Sequence, residues 1–319
     1  MRRLLYAVPI LIGVNLITFL LFFTVNTPDD MARAQLGAKQ VTPAMIEAWK
    51  AEKGYDKPLF FNDDAEGFAC LTDTLFVAES LKLFSFNFGK SDANRDIASD
   101  IKARMGPSLA IALPTFLIAL VTNISFALLL VLFRGSVLDM SMMIVAVAIM
   151  SVSGLFYIIA GQVLVSKLWH WVPISGYEEG IGAVKFIILP VLIGVFSGLG
   201  AGVRWYRSIF LEQMNQDYVR TARAKGLSEI QVLFKHVLRN GMLPVLTGVV
   251  VVIPSLFMGS LIMESFFGIP GLGSYTIDAI NAQDFAIVKA MVFLGSVLYI
   301  VGLILTDISY TIFDPRVTL

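Results

Sequence analysis

The sequence predicts an all-α integral membrane protein with six transmembrane helices, because its composition and the distribution of its apolar residues both favour that class. Of the 319 residues, 57% are hydrophobic and only 15% are charged, and the mean hydropathy is +0.78. Soluble proteins are usually about 45–50% apolar and about 25% charged. The excess lies in nearly uncharged blocks of about 20 residues or more, long enough to cross a hydrocarbon layer of about 30 Å. Cys70 is the single cysteine, which excludes an internal disulfide framework.

The predicted spans lie at approximately 4–25, 108–133, 137–165, 184–203, 245–265 and 287–312. A secretory signal peptide is the alternative for the first block, but its apolar region would be shorter, about 7–15 residues. We therefore expect an uncleaved first span. Pro114 and Pro254 lie inside blocks and predict kinks rather than helix ends.

The distribution of charge predicts that both termini are cytoplasmic, because Lys and Arg are retained on that side of short loops. The segments on the side of the N-terminus contain eleven basic residues and five acidic residues, a net charge of +6. These residues are Arg2, Arg3 and the charged residues of the segments 134–139, 204–239 and 314–316. The short loops on the other side carry three basic residues and five acids, a balance of −2.

The spans divide the chain into the N-terminus with the first span (1–25), an outer helical region (26–105) and a five-helix membrane core (106–319). In the outer region, Thr42 before a proline predicts a helix start and Gly54 a helix stop. Further helices are predicted over 71–84 and from about Asp92. This region is either a cap without a partner or a docking or gating surface.

An inner segment at 204–243 is predicted to contain two short amphipathic helices. Tyr218, Val219 and Ala222 share one face of the first helix. Gly226 can adopt the left-handed conformation that ends it. Ser228, with Gln231 three residues later, predicts a capping box that starts the second helix.

The second helix is predicted to carry an apolar stripe and to end at Asn240-Gly241, ahead of Pro244; the stripe comprises Ile230, Leu233, Phe234, Val237 and Leu238. No other part of the chain is an obvious partner for the two apolar faces. The helices are therefore expected either to lie on anionic lipid or to bind a second protein.

The inner segment also resembles a segment of a known protein family. The residues that carry the resemblance are Asp217, Tyr218, Val219, Arg220, Thr221, Ala222, Arg223, Ala224, Lys225, Gly226 and Leu227, followed by His236-Val237-Leu238-Arg239-Asn240 and Leu243-Pro244. It is similar to the coupling loop of binding-protein-dependent ABC importer permeases, and more narrowly to the dipeptide/oligopeptide/nickel family. The similarity extends to Arg2-Arg3-Leu4-Leu5 with Pro9, to Phe88-Gly89-Lys90, to Phe267-Gly268-Ile269-Pro270-Gly271-Leu272-Gly273 and to Phe313-Asp314-Pro315-Arg316.

The resemblance implies the type I importer permease fold in a bacterial inner membrane, with a second homologous permease as partner. Two cytoplasmic ATPase subunits would bind ATP and Mg²⁺, and a periplasmic solute-binding protein would deliver the cargo. The segment 217–227 would couple this chain to one ATPase, where the small Ala222 and Ala224 permit close approach. The long first outer loop resembles that of the first of the two permeases. The broader importer motif has Glu-Ala-Ala where this chain has Arg220, Thr221 and Ala222.

The implied cargo is a di- or oligopeptide, with nickel, glutathione or an oligosaccharide as alternatives for the same machine. A six-helix channel or a secondary transporter is the alternative of another class, and it leaves the helix pair unexplained. Neither kind would be an enzyme in its own right. We expect membrane lipid as a further partner, and we expect no nucleic acid.

Few residues suggest chemistry of their own. Gly198, Gly200 and Gly202 lie in an apolar helix without a preceding strand, which favours close helix packing over nucleotide binding. No phosphate-binding loop and no catalytic or metal-ligand spacing occurs, so we predict no catalytic, metal or cofactor site in this chain. Asp307 is an acid within the sixth span, where such residues are costly. The expected roles are a structural ion pair, a place in the lining of the path, or proton coupling.

Overall fold

The structure, a computed structural model, describes residues 2–25, 27–37, 41–62 and 67–313, and among these residues it contains helices and no β-strand. This confirms the all-α class. The α-helices are α1 (Arg2–Leu20), α2 (Pro28–Leu36), α3 (Pro43–Lys53), α4 (Ala69–Thr72), α5 (Leu75–Phe84), α6 (Ile97–Leu132), α7 (Val137–Ser151), α8 (Gly154–Gly161), α9 (Val184–Met214), α10 (Asp217–Ala224), α11 (Glu229–Val232), α12 (Leu238–Val252), α13 (Leu261–Phe267), α14 (Leu272–Asn281) and α15 (Phe285–Phe313).

Several of these helices continue as other helical forms. Leu21–Val25, Gln162–Leu168 and Leu233–Val237 are π-helical, while Gly180–Ala183 and Ile253–Met258 are 3₁₀-helical. As a result, α11, the π-helical segment, α12 and the 3₁₀ turn follow one another without a break from Glu229 to Met258.

The membrane spans agree with the prediction at the upper end of the count. Within the described part of the chain, four helices are long and apolar enough to cross a membrane: Ile97–Leu132, Gly180–Met214, Glu229–Met258 and Phe285–Ser309. The count rises to six if each of two bent helix pairs is one span, the pairs being Val8–Thr24 with Pro28–Leu36 and Val137–Ser151 with Gly154–Leu168.

Two predicted spans differ from the structure in detail. The block 137–165 is not one straight helix, because the backbone is extended at Val152 and the two halves meet at 87°. The block 245–265 is interrupted at Gly259, whose φ of +69° lies outside the helical range. A new helix, α13, then starts at Leu261 with Ser260 as its cap.

The segment between the first two spans, residues 27–96, is called here the first-loop region. Its helix α3 starts after Thr42 and ends at Gly54, which takes a left-handed conformation with φ of +72°, as predicted. The helix predicted over 71–84 is divided at Asp73 and Thr74 into α4 and α5. The helix predicted from Asp92 begins later, at Ile97, and runs directly on as α6.

The backbone forms two compact units. The first comprises Met1–Lys102 with Asp278–Ile300, and the second comprises Ala103–Ile277 with Val301–Leu319. The first unit has an aromatic core around Phe19, Phe23 and Trp49. The C-terminal motif from Asp314 to Arg316 lies outside the described residues.

Glycines in α9 confirm the prediction of close helix packing in two of three cases. A Cβ atom at Gly200 would collide with the backbone of Ala146 in α7, and one at Gly202 would collide with the Asn123 side chain in α6. Gly198 has open space around it. These glycines therefore let the helix backbones approach each other, which is their usual purpose in membrane helices.

Candidate functional site: the helix pair at residues 217–237

The helix pair, residues 217–237, begins with α10, which has one buried side and one exposed side. Val219 is fully buried and Ala222 almost fully. Tyr218 is half-buried, and its hydroxyl donates a 2.8 Å hydrogen bond to Gln213 Oε1. The face predicted from these three residues is confirmed.

Gly226 forms the bend between the two helices, as predicted. Its φ is +79°, and its N–H donates to Arg223 O at 2.9 Å while the N–H of Leu227 donates to Ala222 O at 3.3 Å. This pattern is a common way to satisfy the last carbonyl groups of a helix. A Cβ atom at Gly226 would meet nothing within 4 Å, so the position requires glycine for its backbone angle and not for space.

The second helix starts at a complete capping box. Gln231 N donates to Ser228 Oγ at 3.4 Å, and Ser228 N donates to Gln231 Oε1 at 3.2 Å. The backbone N–H groups of Ser228 and Gln231 are thus satisfied by the reciprocal arrangement predicted from the sequence.

An ion pair connects the two helices across the bend, and sequence reasoning missed it. Arg223 Nε donates to Glu229 Oε1 at 2.7 Å, and its second nitrogen Nη2 donates to Oε2 at 3.0 Å. Hydrogen bonding to Glu229 raises the pKa of the Arg223 guanidinium above its ordinary value. The two-point geometry fixes the angle between the helices more tightly than a single contact would.

The apolar faces of the pair are covered by this chain itself, which corrects the expectation that they lack a partner. One hydrophobic cluster contains five buried residues of the helix pair, namely Val219, Ala222, Val232, Leu233 and Val237. They pack with residues of α6, α9 and α12, namely Ala127, Leu128, Val131, Phe210, Met214 and Val245. The inner sides of both helices are therefore part of the core of the second unit.

The surface of the pair that remains exposed is smaller than the sequence suggested. Ile230 and Phe234 were predicted on the apolar stripe, but they are 58% and 55% exposed. Ala224 and Lys225 are also exposed next to the bend. Ala222 is turned into the core, so of the two alanines only Ala224 is accessible to a partner.

The second helix of the pair is continuous with a membrane span. The predicted end at Asn240-Gly241 is wrong, because the helix continues through Gly241 and Pro244 to Met258. Gly241 is buried, and a Cβ atom there would lie 2.7 Å from the ring of Phe210 in α9. The glycine thus serves close packing of α12 against α9 and is not a helix stop.

A second ion pair ties α9 to α7. Arg207 donates to Asp139 through Nε at 3.0 Å and Nη2 at 2.8 Å, and Gly135 N adds a third bond to the same carboxylate at 3.0 Å. Asp139 is buried. This carboxylate therefore joins α9 to the start of α7 through three hydrogen bonds.

A buried glutamate was also missed by sequence reasoning. Glu264 is 1% exposed and accepts hydrogen bonds from Ser260 N and Ser274 N, each at 3.1 Å. The Ser108 hydroxyl of α6 is a further partner of the carboxylate, and it accepts a 2.7 Å hydrogen bond from Leu272 N. One side chain thus connects α6, α13 and the start of α14.

The signal for this cluster was in the glycine-rich motif from Phe267 to Gly273. A Cβ atom at Gly271, or at Gly259 on the other side, would collide with the Glu264 carboxylate. These glycines let the backbone approach the carboxylate closely.

Asp307, the candidate intramembrane acid, is half-buried in α15 and has an interaction partner. It lies 70 positions or more from the helix pair in the sequence. Its role remains a prediction.

The architecture and the helix pair define a class: a multi-helix membrane protein with a folded, partly exposed helix pair at one end of a span. Comparison of the sequence with family models matches residues 124–319 to the inner membrane component of binding-protein-dependent transport systems. Residues 1–83 match the N-terminal domain of the same membrane components. The chain therefore belongs to this family of ABC importer permeases and has the type I importer permease fold.

The relatives cover essentially the whole chain. A provisionally named peptide transport system permease protein of Brucella suis is 33% identical over 99% of this chain and 98% of its own length. The di/tripeptide transport system permease protein DppB of Pseudomonas aeruginosa is 30% identical, covering 99% and 97%. The oligopeptide transport system permease protein AppB of Bacillus subtilis is 28% identical, covering 99% and 98%. The chain is thus a multi-pass inner membrane permease subunit of an importer with several components.

Proposed function

We propose that this chain imports di- and oligopeptides as one of two homologous permeases that together form the path across a bacterial inner membrane. Relatives named for peptide, oligopeptide and di/tripeptide transport, each matched along nearly its full length, support this cargo. A periplasmic solute-binding protein delivers the peptide.

Residues 217–227 are proposed to couple the chain to one of two cytoplasmic ATPase subunits, which bind ATP and Mg²⁺ and hydrolyse ATP. The observation that carries this proposal is the division of the helix pair into two sides. The inner side of the pair is packed into the core of the second unit. The outer side exposes Ala224, Lys225, Ile230 and Phe234. A short, locked element with a mixed exposed face suits insertion into a groove on another protein.

The mechanism follows from what the helix pair is attached to. Closure of the two ATPase subunits around nucleotide would displace α10. This helix packs on α9 through Met214 and Phe210, and on the continuous helical segment from Glu229 to Met258. Since packed cores are not continuously deformable, such a displacement moves the attached spans as rigid bodies and switches access between the two sides.

The proposed orientation places both termini and the helix pair in the cytoplasm and the first-loop region outside. The balance of +6 on the side of the pair, against −2 in the short loops opposite, supports it. The first-loop region would then face the binding protein.

The test uses Ala224→Trp, which adds bulk to the exposed face without touching the core. We expect the variant to reach the membrane at normal levels and peptide uptake to fall by about tenfold or more. The reason is that α10, bound in a groove of the ATPase subunit, has no room for the added volume. Ala224→Ser, which adds only one oxygen atom at the same exposed position, is the matched control and should leave uptake unchanged. Normal uptake by Ala224→Trp would contradict the coupling assignment.

A further inference from the structure

A cavity of about 390 Å³ lies within the first unit, between α2, α3, α5, the turn at 88–94 and the start of α15. Its volume falls within the range of about 300–1,000 Å³ that is usual for small-ligand pockets. All of its lining belongs to the first unit, and the helix pair contributes nothing to it. The coupling role therefore leaves this cavity unexplained.

One wall of the cavity is aromatic and held in place. Trp49 donates from Nε1 to Gln35 Oε1 at 2.9 Å, and the Trp49 and Tyr55 rings meet edge to face with their centroids 5.7 Å apart. Phe88 is a further aromatic group of the lining. These rings offer a preformed apolar surface to a ligand side chain at little cost in conformational entropy.

The base of the cavity contains buried charges. Glu79 and Lys289 are 7% and 8% exposed, and they form an ion pair with each other. Glu79 also accepts a 2.8 Å hydrogen bond from Lys82 Nζ. Replacing such a buried pair by apolar residues is often neutral or stabilising, so stability alone does not account for these charges.

The lining as a whole has both signs of charge with an excess of one cation. Four lysines stand against three carboxylates, namely Lys53, Lys82, Lys90 and Lys289 against Glu52, Glu79 and Asp92. Lys90 and Glu52 are exposed, whereas Lys53 pairs with Asp92 at 3.1 Å. A ligand that carries an anion and a cation a few bonds apart, with an apolar group between them, matches this arrangement.

We propose that the cavity binds a short free peptide by its two charged ends. Lys90 receives the terminal carboxylate, Glu52 receives the terminal ammonium group, and the Trp49 wall receives a side chain. This rests on the proposed function, since it takes the cargo to be a peptide and the first-loop region to face outside. The chain would then hold peptide at a site of its own, separate from the binding protein.

The test is titration calorimetry on the purified full-length chain in lipid nanodiscs, without the binding protein. Alanyl-phenylalanine is compared with its C-terminal amide and with its N-acetyl form. We expect the free dipeptide to bind and the amide to bind at least tenfold more weakly, because the amide removes the anion. N-acetylation should also weaken binding, because it removes the positive charge that Glu52 receives.

Variants locate the site. Lys90→Ala should weaken binding of the free dipeptide about tenfold and abolish the preference over the amide, while Lys90→Arg should retain both. Lys167→Ala, an exposed lysine outside the cavity, is the control and should bind like the wild type. Equal binding of dipeptide and amide, or unchanged binding by Lys90→Ala, would overturn the proposal.

A failure of this inference is distinguishable from a failure of the proposed function. If cells lacking this chain lose peptide uptake but the purified chain binds no dipeptide, only the cavity proposal is wrong. If peptide uptake persists at the normal rate without the chain, the proposed cargo is wrong, and the cavity proposal is overturned with it.

Discussion

The helix pair and the first-loop region differ in how far apart in the chain the partners of their polar contacts lie. In the helix pair, the cap, the bend and the ion pair join residues three to six positions apart, as in Ser228 with Gln231 and Arg223 with Glu229. In the first-loop region, Glu79 pairs with Lys289 across 210 positions, and Asp92 N donates to Asp284 Oδ2 across 192. The first kind of polar contact is specified locally, and the second depends on the rest of its unit being folded.

The exposure of the two ion pairs makes the same distinction. Arg223 and Glu229 have side chains 38% and 55% exposed, so water screens their attraction. Lys289 and Glu79 are 10% and 9% exposed at the side chain. For Glu79, burial alone would raise the pKa, but the ammonium groups of Lys289 and Lys82 outweigh burial and hold the pKa below its ordinary value.

The largest expected effect comes from breaking the long-range pair. Glu79→Ala leaves Lys289 buried without its carboxylate, and removing one partner of a buried pair costs about 3–5 kcal/mol. We expect a clearly lower melting temperature of the purified chain and faster proteolysis of the first-loop region. The double variant Glu79→Ala with Lys289→Met should recover much of the loss. No recovery would mean that the stability comes from packing rather than from the charge pair.

Replacing the glycine of the bend should have an intermediate effect. Gly226→Ala meets no steric obstacle, so its cost is that of a left-handed conformation for a residue with a Cβ atom, about 1–2 kcal/mol. The melting temperature should fall modestly, and the rate of uptake should fall with it because the helix pair loses its fixed angle. Gly198→Ala, which lies in open space in α9 without a positive φ, is the control. Equal effects of the two substitutions would show that the left-handed backbone conformation at Gly226 is not what the position requires.

The smallest expected effect on stability comes from the exposed pair. Arg223→Ala removes a screened interaction worth about 0–1 kcal/mol, so the melting temperature should change little. Uptake is the more sensitive measurement, since the ion pair sets the angle between α10 and α11. Arg223→Lys keeps the charge but loses the two-point geometry, and it should give an intermediate rate of uptake. A large drop in melting temperature for Arg223→Ala would remove the distinction between the two regions.

The same division explains how much the sequence could predict. The capping box, the bend at Gly226 and the Thr42 to Gly54 helix were predicted because each signal lies within a few residues of its effect. Gly241 was misinterpreted as a helix end, since only the ring of Phe210, 31 positions earlier, reveals that the glycine serves packing.

Other parts of the structure could not be predicted, because they depend on contacts between distant segments, which the spacing of apolar residues does not reveal. The covering of the helix pair by α6 and α9, and the approach of Ser108 to Glu264, join segments far apart in the chain. The bend after Val152 had a local signal in its adjacent Ser153 and Gly154, residues that commonly mark helix kinks, but the apolar block hid it.

The most direct test of the central claim is site-specific crosslinking at the exposed face of the helix pair. Cys70 is the only cysteine, so Cys70→Ser provides a background for Ala224→Cys carrying a photoactivatable maleimide probe. In native membranes we expect the probe to crosslink to an ATP-binding subunit, and an otherwise identical probe at Ala48→Cys to give no such product. Crosslinks from position 224 to lipid alone, in membranes where the complex is present, would contradict the coupling role and identify the helix pair as a membrane-surface element.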